Sequence, residues 1–444
     1  MVTVLFFEVR SKTRLFEMIV SELRKNLEIE VYWVVQNQIF KPENDKNVFI
    51  LKRPKLKDYR ASPNDEIDKK VAACDRFGIN FNQETWYYHQ YRTQIEEILQ
   101  AVKPNFAFGE LGNFFTHYGC LVCERFGIKF YDVETSRFPA ASVSFFKYDR
   151  WDPLKTRDIT ADEAASFLSQ FKQTRPTPDY MVKEKRTSVM RSLKAVFNEV
   201  SHRAKILVGY VSGDVFCTQN PVRNFFEKQK IQSKIIQWDR VALTIDQLRR
   251  ENLKILLYPL QMEPEFNLHV WGYPCNKQQD IILKLSNALP KNWLLVIKLN
   301  PKSNQELNEL NLTLLASICN IRLVKSNIKM QELDDASELV ATVTGTVQIE
   351  RLLHGKPVVI LGNSPFKRFS SIQKPLEEIT PHDIMSAVAK KTTYLEQLEI
   401  SRFLLEHSVP GLMAEPATNQ ECTSELNVKI LASAYLRVLR SDFK

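Results

Sequence analysis

The turn Thr344-Gly345-Thr346 joins an apolar run typical of a strand to a short helical pattern. Free N–H groups at such a turn and the start of the helix behind it favour an anion, and the two threonine hydroxyls could donate to a phosphate. Glu350 lies four residues beyond Thr346 on the same helix face, so its carboxylate could accept hydrogen bonds from sugar or ribose hydroxyls. The alternative is an ordinary threonine N-cap followed by a solvated glutamate.

Two further segments place polar residues after apolar runs. Lys298 and Asn300 follow the run Trp293–Ile297, while Gln261 and Glu265 lie in a proline-bracketed loop after Ile255–Tyr258. Parallel strands end on one edge of a sheet, and ligands bind at that edge. We therefore expect Lys298 and the Thr344-Gly345-Thr346 turn to converge on one phosphate, although such residues can also end strands without binding anything.

Carboxylates follow predicted strands elsewhere as well. Glu110, Glu134 and Asp214 each lie a few residues after an apolar run, and two carboxylates at one site can divide acid and base roles. We expect Glu134 to be the catalytic one, with Arg137 orienting it, and Glu110 and Asp214 behind it. Loop carboxylates are often only solvated, so this remains the alternative for each.

The elements that carry these residues alternate between strand and helix in both halves of the chain. This alternation predicts parallel sheets and an α/β fold. Predicted strands are Val2–Phe7, Ile29–Val35, Val48–Leu51, Asn105–Gly109, Ile128–Val133, Ile206–Val211, Ile235–Trp238, Ile255–Tyr258, Leu294–Ile297, Ile321–Val324, Leu339–Val343 and Val358–Leu361. Between the halves, Thr160 and Glu163 predict a capped helix, and a basic helix is expected at about 183–203.

Composition narrows the class of protein. The 44% hydrophobic and 25% charged residues are typical of a globular chain, and no apolar run reaches about 18 residues, so we expect a cytoplasmic protein without a membrane span. The formal net charge of +9 favours anionic partners, but its even spread argues against nucleic acid. The helix Leu426–Arg440 has an apolar face that could lie on anionic lipid or pack on the protein.

The seven dispersed cysteines are typical of a reducing compartment. Cys120 and Cys123 lack a second ligand pair, so we expect small core residues on a helix and no metal cofactor.

Three motifs of the second half together resemble a known family. They are Tyr258-Pro-Leu-Gln261-Met-Glu-Pro-Glu265, the segment Gln278–Leu289 with Trp293–Pro301, and Val343-Thr-Gly-Thr346 with Glu350 and Gly355-Lys-Pro357. Their order and spacing across about 255–365 resemble the capsule polysaccharide biosynthesis proteins, which include the retaining Kdo transferases. The first half resembles this family more weakly, through Gly127, Glu134 and Phe138-Pro139.

This resemblance implies a GT-B glycosyltransferase, in which two Rossmann-like domains face a cleft, followed by a helical C-terminal tail. The implied domains are 1–195 for the acceptor, 196–395 for the nucleotide-sugar, and 396–444 as helices that cross back to the first domain. The implied partners are a CMP-activated Kdo-like donor and a surface glycan or glycolipid acceptor at the inner face of the membrane. The donor-facing residues would be Gln261, Glu265, Lys298, Asn300, Thr344, Gly345, Thr346 and Glu350.

Two departures from the family pattern bear on catalysis. Asn300-Pro301 stands where the family has His-Pro, and asparagine cannot carry a proton or a positive charge. Glu134-Thr-Ser-Arg-Phe-Pro139 stands where Kdo transferases often have Glu-Asp-Gly-Phe-Leu-Arg-Ser, so their nucleophilic Asp is missing. Either another carboxylate serves, or the donor differs, or the chain is an inactive scaffold; a nucleotide-sugar epimerase-like enzyme is the other alternative.

Overall fold

The computed structural model describes residues 1–55, 65–75, 86–176, 200–201, 204, 207–212, 216–217, 220–263, 265–302, 305–416 and 419–441. The chain forms two compact units, each with its own sheet. The first unit comprises Met1–Asp158, Pro176–Pro221 and Leu404–Lys444, and the second comprises Ile159–Arg175 and Val222–Phe403. The α/β class with two Rossmann-like units and a helical C-terminal region is confirmed. The domain limits 1–195, 196–395 and 396–444, and the cleft, stay predictions.

The first unit is built on a seven-stranded sheet in the order β12-β6-β5-β4-β1-β2-β3. Pairing is parallel from β5 to β3, while β6 and β12 add antiparallel at one end. The strands are β1 Val2–Phe7, β2 Ile29–Val35, β3 Val48–Ile50, β4 Phe106–Gly109, β5 Lys129–Thr135, β6 Ser142–Lys147 and β12 Val409–Pro410. The helices are α1 Thr13–Leu23, α2 Glu66–Cys74, α3 Trp86–Val102, α4 Phe114–Arg125 and α14 Glu425–Ser441.

Aromatic residues make much of the first core. The β1 sequence is almost entirely apolar because both faces of a central parallel strand are covered. Phe6 stacks on Trp33 and Phe108 of the neighbouring strands, and Tyr435 of α14 packs against the same rings. The apolar face of α14 is therefore buried against the sheet and α1, which favours packing over a lipid-facing role for this helix.

The second unit has five parallel strands in the order β11-β10-β7-β8-β9. They are β7 Lys254–Pro259, β8 Trp293–Lys298, β9 Ile321–Leu323, β10 Leu339–Thr342 and β11 Val358–Ile360. Its helices are α5 Ala161–Thr174, α6 Pro221–Val241, α7 Ile245–Arg250, α8 Gln278–Asn287, α9 Leu312–Ser317, α10 Met330–Ala336, α11 Val347–Leu353, α12 Pro381–Ala389 and α13 Tyr394–Glu406, whose last turn lies in the first unit. The predicted capping box of Thr160 and Glu163 is confirmed at α5.

Two strand predictions are wrong. Ile235–Trp238 lies within α6, where Trp238 is buried and donates from its indole nitrogen to the Val324 carbonyl at 2.8 Å, while Ile236 is exposed. Within Ile206–Val211, Leu207 to Val211 are helical and Ile206 lies outside the described residues. Short β-branched runs fit either a strand or one helix face, so periodicity alone could not decide.

Other predictions differ in detail. The sequence pattern of Gln305–Cys319 predicts one helix, but the segment forms a short helical turn, Gln305–Asn308, followed by α9. The strand β6 was not predicted, and most of the basic helix expected at 183–203 lies outside the described residues. No helix among the described ranges is long and apolar enough to span a membrane.

The side chain of Arg351 joins four segments of the second unit. It is almost fully buried on α11 and donates to the carbonyls of Ser337, Glu338 and Pro357 and to the carboxylate of Asp334 at 2.9–3.3 Å. These bonds tie α10 and the loop before β10 to α11 and to the residue before β11.

Arg351→Met should lower the free energy of unfolding by about 3–5 kcal/mol, because it removes the side-chain donor of three buried carbonyls at about 1–3 kcal/mol each, while the Asp334 carboxylate keeps Lys356. Arg368→Met is the matched control, since Arg368 pairs with Glu399 at the surface and the loss should be about 0–1 kcal/mol. Urea unfolding at constant pH measures both. Equal losses in the two variants would contradict the structural role of Arg351.

Candidate functional site

The carboxyl ends of β7, β8 and β10 lie on one edge of the second sheet. The parallel register sets Pro259 beside Lys298, and Leu339 and Val340 of β10 beside Leu256 and Leu257 of β7. All the residues expected to bind the donor follow these three strands, so they belong to this edge of the second unit.

Gln261 and the Thr344-Gly345-Thr346 turn are in direct contact. With its amide oxygen facing the backbone, Gln261 accepts from the N–H groups of Thr344 at 2.8 Å and Gly345 at 2.5 Å, and its Nε2 donates to the Thr344 hydroxyl at 3.1 Å. The Thr344 hydroxyl in turn donates to the Asn267 carbonyl. This orientation gives every atom a partner of the opposite kind. A glutamine oxygen therefore binds two of the N–H groups that we expected to meet a phosphate, and the helix behind them, α11, is only seven residues long.

Gln278 holds the Gln261 backbone and was not expected from the sequence. Its side chain accepts from Gln261 N at 2.7 Å, donates to Gln261 O at 3.0 Å, and donates to the Glu263 carboxylate at 2.5 Å. Gln278 begins the helix α8, and its position at a helix start after the loop was the only signal available in the sequence. Gln278 therefore fixes the loop that carries Gln261.

Two acidic side chains of this edge are buried. Burial raises the pKa of Glu263 to about 7, although the Gln278 bond opposes it. Burial raises the pKa of Glu306 to about 8, although nearby backbone N–H groups oppose it, and Glu263 adds a repulsive charge. Both are thus wholly or partly protonated near neutral pH, which the sequence did not indicate.

Lys298 is nearly fully buried at the end of β8. Its ammonium donates to the carbonyls of Leu299 at 3.1 Å and Ser326 at 2.8 Å, on the side of β9. Burial lowers the pKa of Lys298 to about 8, while Asp239 opposes the shift. Among the described residues, its ammonium and the Thr344-Gly345-Thr346 turn are not brought into hydrogen-bonding contact, so a shared phosphate stays a prediction.

Glu265 and Asn300 lie on neighbouring loops. The Glu265 carboxylate accepts from the Asn267 side chain at 3.3 Å and faces Lys302. The Asn300 side chain accepts from the Lys302 backbone N–H at 3.0 Å, which fixes the Asn-Pro turn. Asn267 begins a π-helical turn, Asn267–Trp271, of a kind frequent at functional sites.

Glu350 lies on α11, one turn beyond Thr346. Burial, and after it the charge of Asp334, raises the pKa of Glu350 to about 7. Within the described ranges its carboxylate has no hydrogen-bond or ion-pair partner. A half-buried carboxyl group of this kind is available to accept hydrogen bonds from ligand hydroxyls.

The first unit brings Glu110 and Glu134 together around a lysine. Lys12 forms an ion pair with Glu110 at 2.6 Å, and Glu134 and Glu415 also help to hold the pKa of Lys12 above its usual value, against the larger opposing effect of burial. Lys12 was not singled out from the sequence, where only its position soon after β1 could have indicated it. Asp214 lies outside the described residues.

Arg137 contacts an aromatic ring, and its expected role beside Glu134 stays a prediction. Its guanidinium stacks on the Trp151 ring at 4.3 Å from the ring centre. Cys120 and Cys123 are buried on α4, where burial raises the pKa of both thiols. The absence of a metal cofactor stays a prediction.

Gln261→Leu should destabilise the second unit by about 1–3 kcal/mol, because it removes the acceptor of two backbone N–H groups. Gly345 N–H keeps a second acceptor, the Thr342 hydroxyl at 3.2 Å, so the loss should lie in the lower half of this range. Gln237→Leu, at an exposed position of α6, is the control and should change little. A Gln261→Leu protein as stable as the wild type in urea unfolding would contradict the role of the amide.

Comparison with solved structures finds low similarity over most of the chain. UDP-GlcNAc 2-epimerase from Neisseria meningitidis bound to UDP-GlcNAc is 14% identical, with 99% of this chain and 100% of that chain covered and a TM-score of 0.25. The UDP-GlcNAc 2-epimerase from Methanocaldococcus jannaschii in complex with UDP-GlcNAc and UDP is 14% identical, with 91% and 99% covered and a TM-score of 0.29. KpsC from Thermosulfurimonas dismutans, a beta Kdo 2,7 transferase, is 13% identical, with 70% and 80% covered and a TM-score of 0.33.

Comparison with curated protein sequences finds no match. Comparison with protein families is more informative, since residues 164–374 match the family described as capsule polysaccharide biosynthesis protein. The matched range contains β7, β8, β10 and every residue expected to bind the donor. Residues 164–374, a little under half of the chain, are therefore similar to the capsule polysaccharide biosynthesis proteins, the family that the resemblance predicted.

Proposed function

We propose that the chain is a glycosyltransferase that transfers a sugar from a nucleotide-activated donor to a surface polysaccharide or glycolipid. The donor proposed first is a CMP-linked, Kdo-like keto-sugar acid. The observation that carries the proposal is the family match, because it spans the whole edge formed by Gln261, the Thr344-Gly345-Thr346 turn and Glu350. The reaction would take place in the cytoplasm, at the inner face of the membrane.

Donor binding is assigned to the edge of the second sheet. Glu350 would accept hydrogen bonds from ribose or sugar hydroxyls, since its carboxyl group is half-buried and unengaged among the described residues. Gln261 and Gln278 would keep the turn and its loop in place before the donor arrives. Glu265 and Asn300 would line the same edge. Lys298, already bonded to two carbonyls, would support a phosphate mainly through its charge.

Catalysis is assigned to the carboxylates of the first unit. In the transfer, the acceptor oxygen bonds to the anomeric carbon, the bond from that carbon to the donor phosphate oxygen breaks with its electron pair on the phosphate, and the acceptor proton leaves. Glu134 would take that proton, with Glu110 and Lys12 beside it. Asp214 stays a third candidate, and retention of configuration is an expectation from the family resemblance.

The decisive experiment incubates the purified protein with CMP- and UDP-sugars, with and without glycan acceptors, and measures nucleotide release and product. Acceptor-dependent release of CMP or UDP supports a transferase. Conversion of the donor sugar without an acceptor supports an epimerase-like enzyme, and no turnover with intact nucleotide binding supports an inactive scaffold. The anomeric configuration of the product, read by NMR, tests retention.

Glu350→Gln should weaken nucleotide binding about tenfold to a hundredfold above the Glu350 pKa of about 7, where the carboxyl group is ionised, because a hydrogen bond to a charged group contributes about 1.5–3 kcal/mol. Calorimetric titration with CMP and UDP measures the change. Glu332→Gln, on the exposed surface of α10, is the control and should bind as the wild type does. Unchanged affinity in Glu350→Gln would remove the carboxyl group from the donor site.

Glu134→Gln should lower turnover by about a hundredfold or more while nucleotide affinity stays within about twofold, because the amide cannot take a proton. Steady-state rates and calorimetry on the same preparation separate the two effects. Glu97→Gln, exposed on α3, is the control for the loss of a negative charge in the same unit. If Glu134→Gln keeps near wild-type turnover, Glu134 is not the catalytic base, and Glu110 and Asp214 become the candidates.

A further inference from the structure

Asp132 is a fully buried acid in the middle of the first sheet. It lies on β5 beside Gly109 of β4, and its Oδ1 accepts from the Leu111 backbone N–H at 3.0 Å. Its Oδ2 is also buried and has no hydrogen-bond partner among the described residues. An ionised carboxylate oxygen left in that state would carry a large desolvation penalty.

The charges that face Asp132 are mostly negative. Glu134 lies two residues along β5 and therefore on the same face, and Glu110 directly follows the neighbouring strand. Lys12, the nearby cation, is paired with Glu110. Among the described residues, the thiol of Cys120 on α4 and the phenol of Tyr435 on α14 also interact electrostatically with Asp132, and burial raises the pKa of both. Burial first, and then the charge of Glu134, raises the pKa of Asp132 itself well above its usual range.

We propose that Asp132 is a positioning residue that is protonated on Oδ2 in the folded protein. It holds the backbone at Leu111, the residue that follows Glu110. Because Asp132 is neutral, the positive charge of Lys12 offsets only the charges of Glu110 and Glu134. The carboxyl group then works as a neutral group, with one oxygen as acceptor and the other as hydroxyl. An asparagine could replace it, since the amide has an acceptor oxygen in the same place and no charge.

The effect of pH on stability has a definite sign. A carboxyl group that is protonated when folded and ionised when unfolded makes the folded state bind more protons, so stability falls as pH rises above the unfolded pKa of about 4. Asp132→Asn removes this dependence. The folded-to-unfolded ratio of the variant should therefore rise relative to wild type by up to about tenfold for each pH unit between about pH 4 and about pH 8.

The matched control is Asp149, a second buried aspartate of the first unit with the opposite environment. Burial alone would raise the pKa of Asp149, but the hydrogen bonds and charges of His117 and Lys70 lower it to about 2. Its contribution to stability is present above the unfolded pKa and is lost as pH falls toward about 2, so Asp149→Asn should destabilise the protein near neutral pH. If the two Asp→Asn substitutions change stability in opposite directions, the cause is the protonation state of each aspartate, since a general effect of introducing an amide would have the same sign in both.

The experiment is urea unfolding of the full chain, as wild type, Asp132→Asn and Asp149→Asn, at several pH values from about 4 to about 8. A difference in stability that changes in favour of Asp132→Asn as the pH rises supports the proposal, whatever constant offset the buried amide adds. A difference that is independent of pH, or that changes in favour of the wild type as the pH rises, overturns it. Because the experiment measures the free energy of unfolding, it tests the protonation of Asp132 whether or not the protein has transferase activity.

Positioning needs a second readout, which is hydrogen exchange of the Leu111 amide. Asp132→Asn should leave the exchange rate of the Leu111 amide close to that of the wild type. Asp132→Ala should raise the exchange rate about tenfold or more, because alanine has no side-chain acceptor for this amide. Equal protection in both variants, or loss in both, would overturn the positioning role. The catalytic consequence rests on the proposed function: where the wild type turns over, Asp132→Ala should lower the turnover more than Asp132→Asn does, and equal turnover in the two variants would overturn that consequence.

Discussion

Parallel pairing of strands is the constraint on which both units depend. In each sheet the parallel strands end at the same edge, so loops that are distant in the sequence become neighbours without any direct attraction between them. Gln261 and Thr344 meet in this way in the second unit, as do Lys12 and Glu110 in the first. The apolar strands enforce this pairing, and the candidate functional residues lie either in the loops that follow the strands or near the carboxyl ends of the strands themselves, as Glu134 and Lys298 do.

Amide and acidic side chains have different roles at the edge of the second sheet. Gln261 and Gln278 satisfy buried backbone groups, which keeps the loops in one conformation without placing a charge inside the protein. Burial raises the pKa of three acids, Glu263, Glu306 and Glu350, so that they ionise less readily near neutral pH. The formal charge of +9 counts each of these three groups as a carboxylate, so it assigns them more negative charge than they carry near neutral pH.

Several contacts were not expected from the sequence, because the tertiary structure determines which groups become partners. Lys298 follows a strand as expected, and its ammonium donates to two carbonyls. Arg137 lies three residues from Glu134, and its guanidinium stacks on the ring of Trp151. The Thr344 and Gly345 N–H groups are where the turn pattern placed them, and a glutamine from another loop accepts their hydrogen bonds.

The sequence by itself determined the α/β class, ten of the twelve predicted strands and the edge at which polar residues gather, because hydrophobic periodicity, capping residues and strand ends are local properties of the chain. Only the tertiary structure decided which polar groups meet. The pairing of Gln261 with the Thr344 turn spans 83 residues, that of Lys12 with Glu110 spans 98, and the burial of Asp132 depends on the packing of neighbouring strands. Burial and long-range contact set the charge of an acid or a lysine, and neither is encoded within the few residues around it.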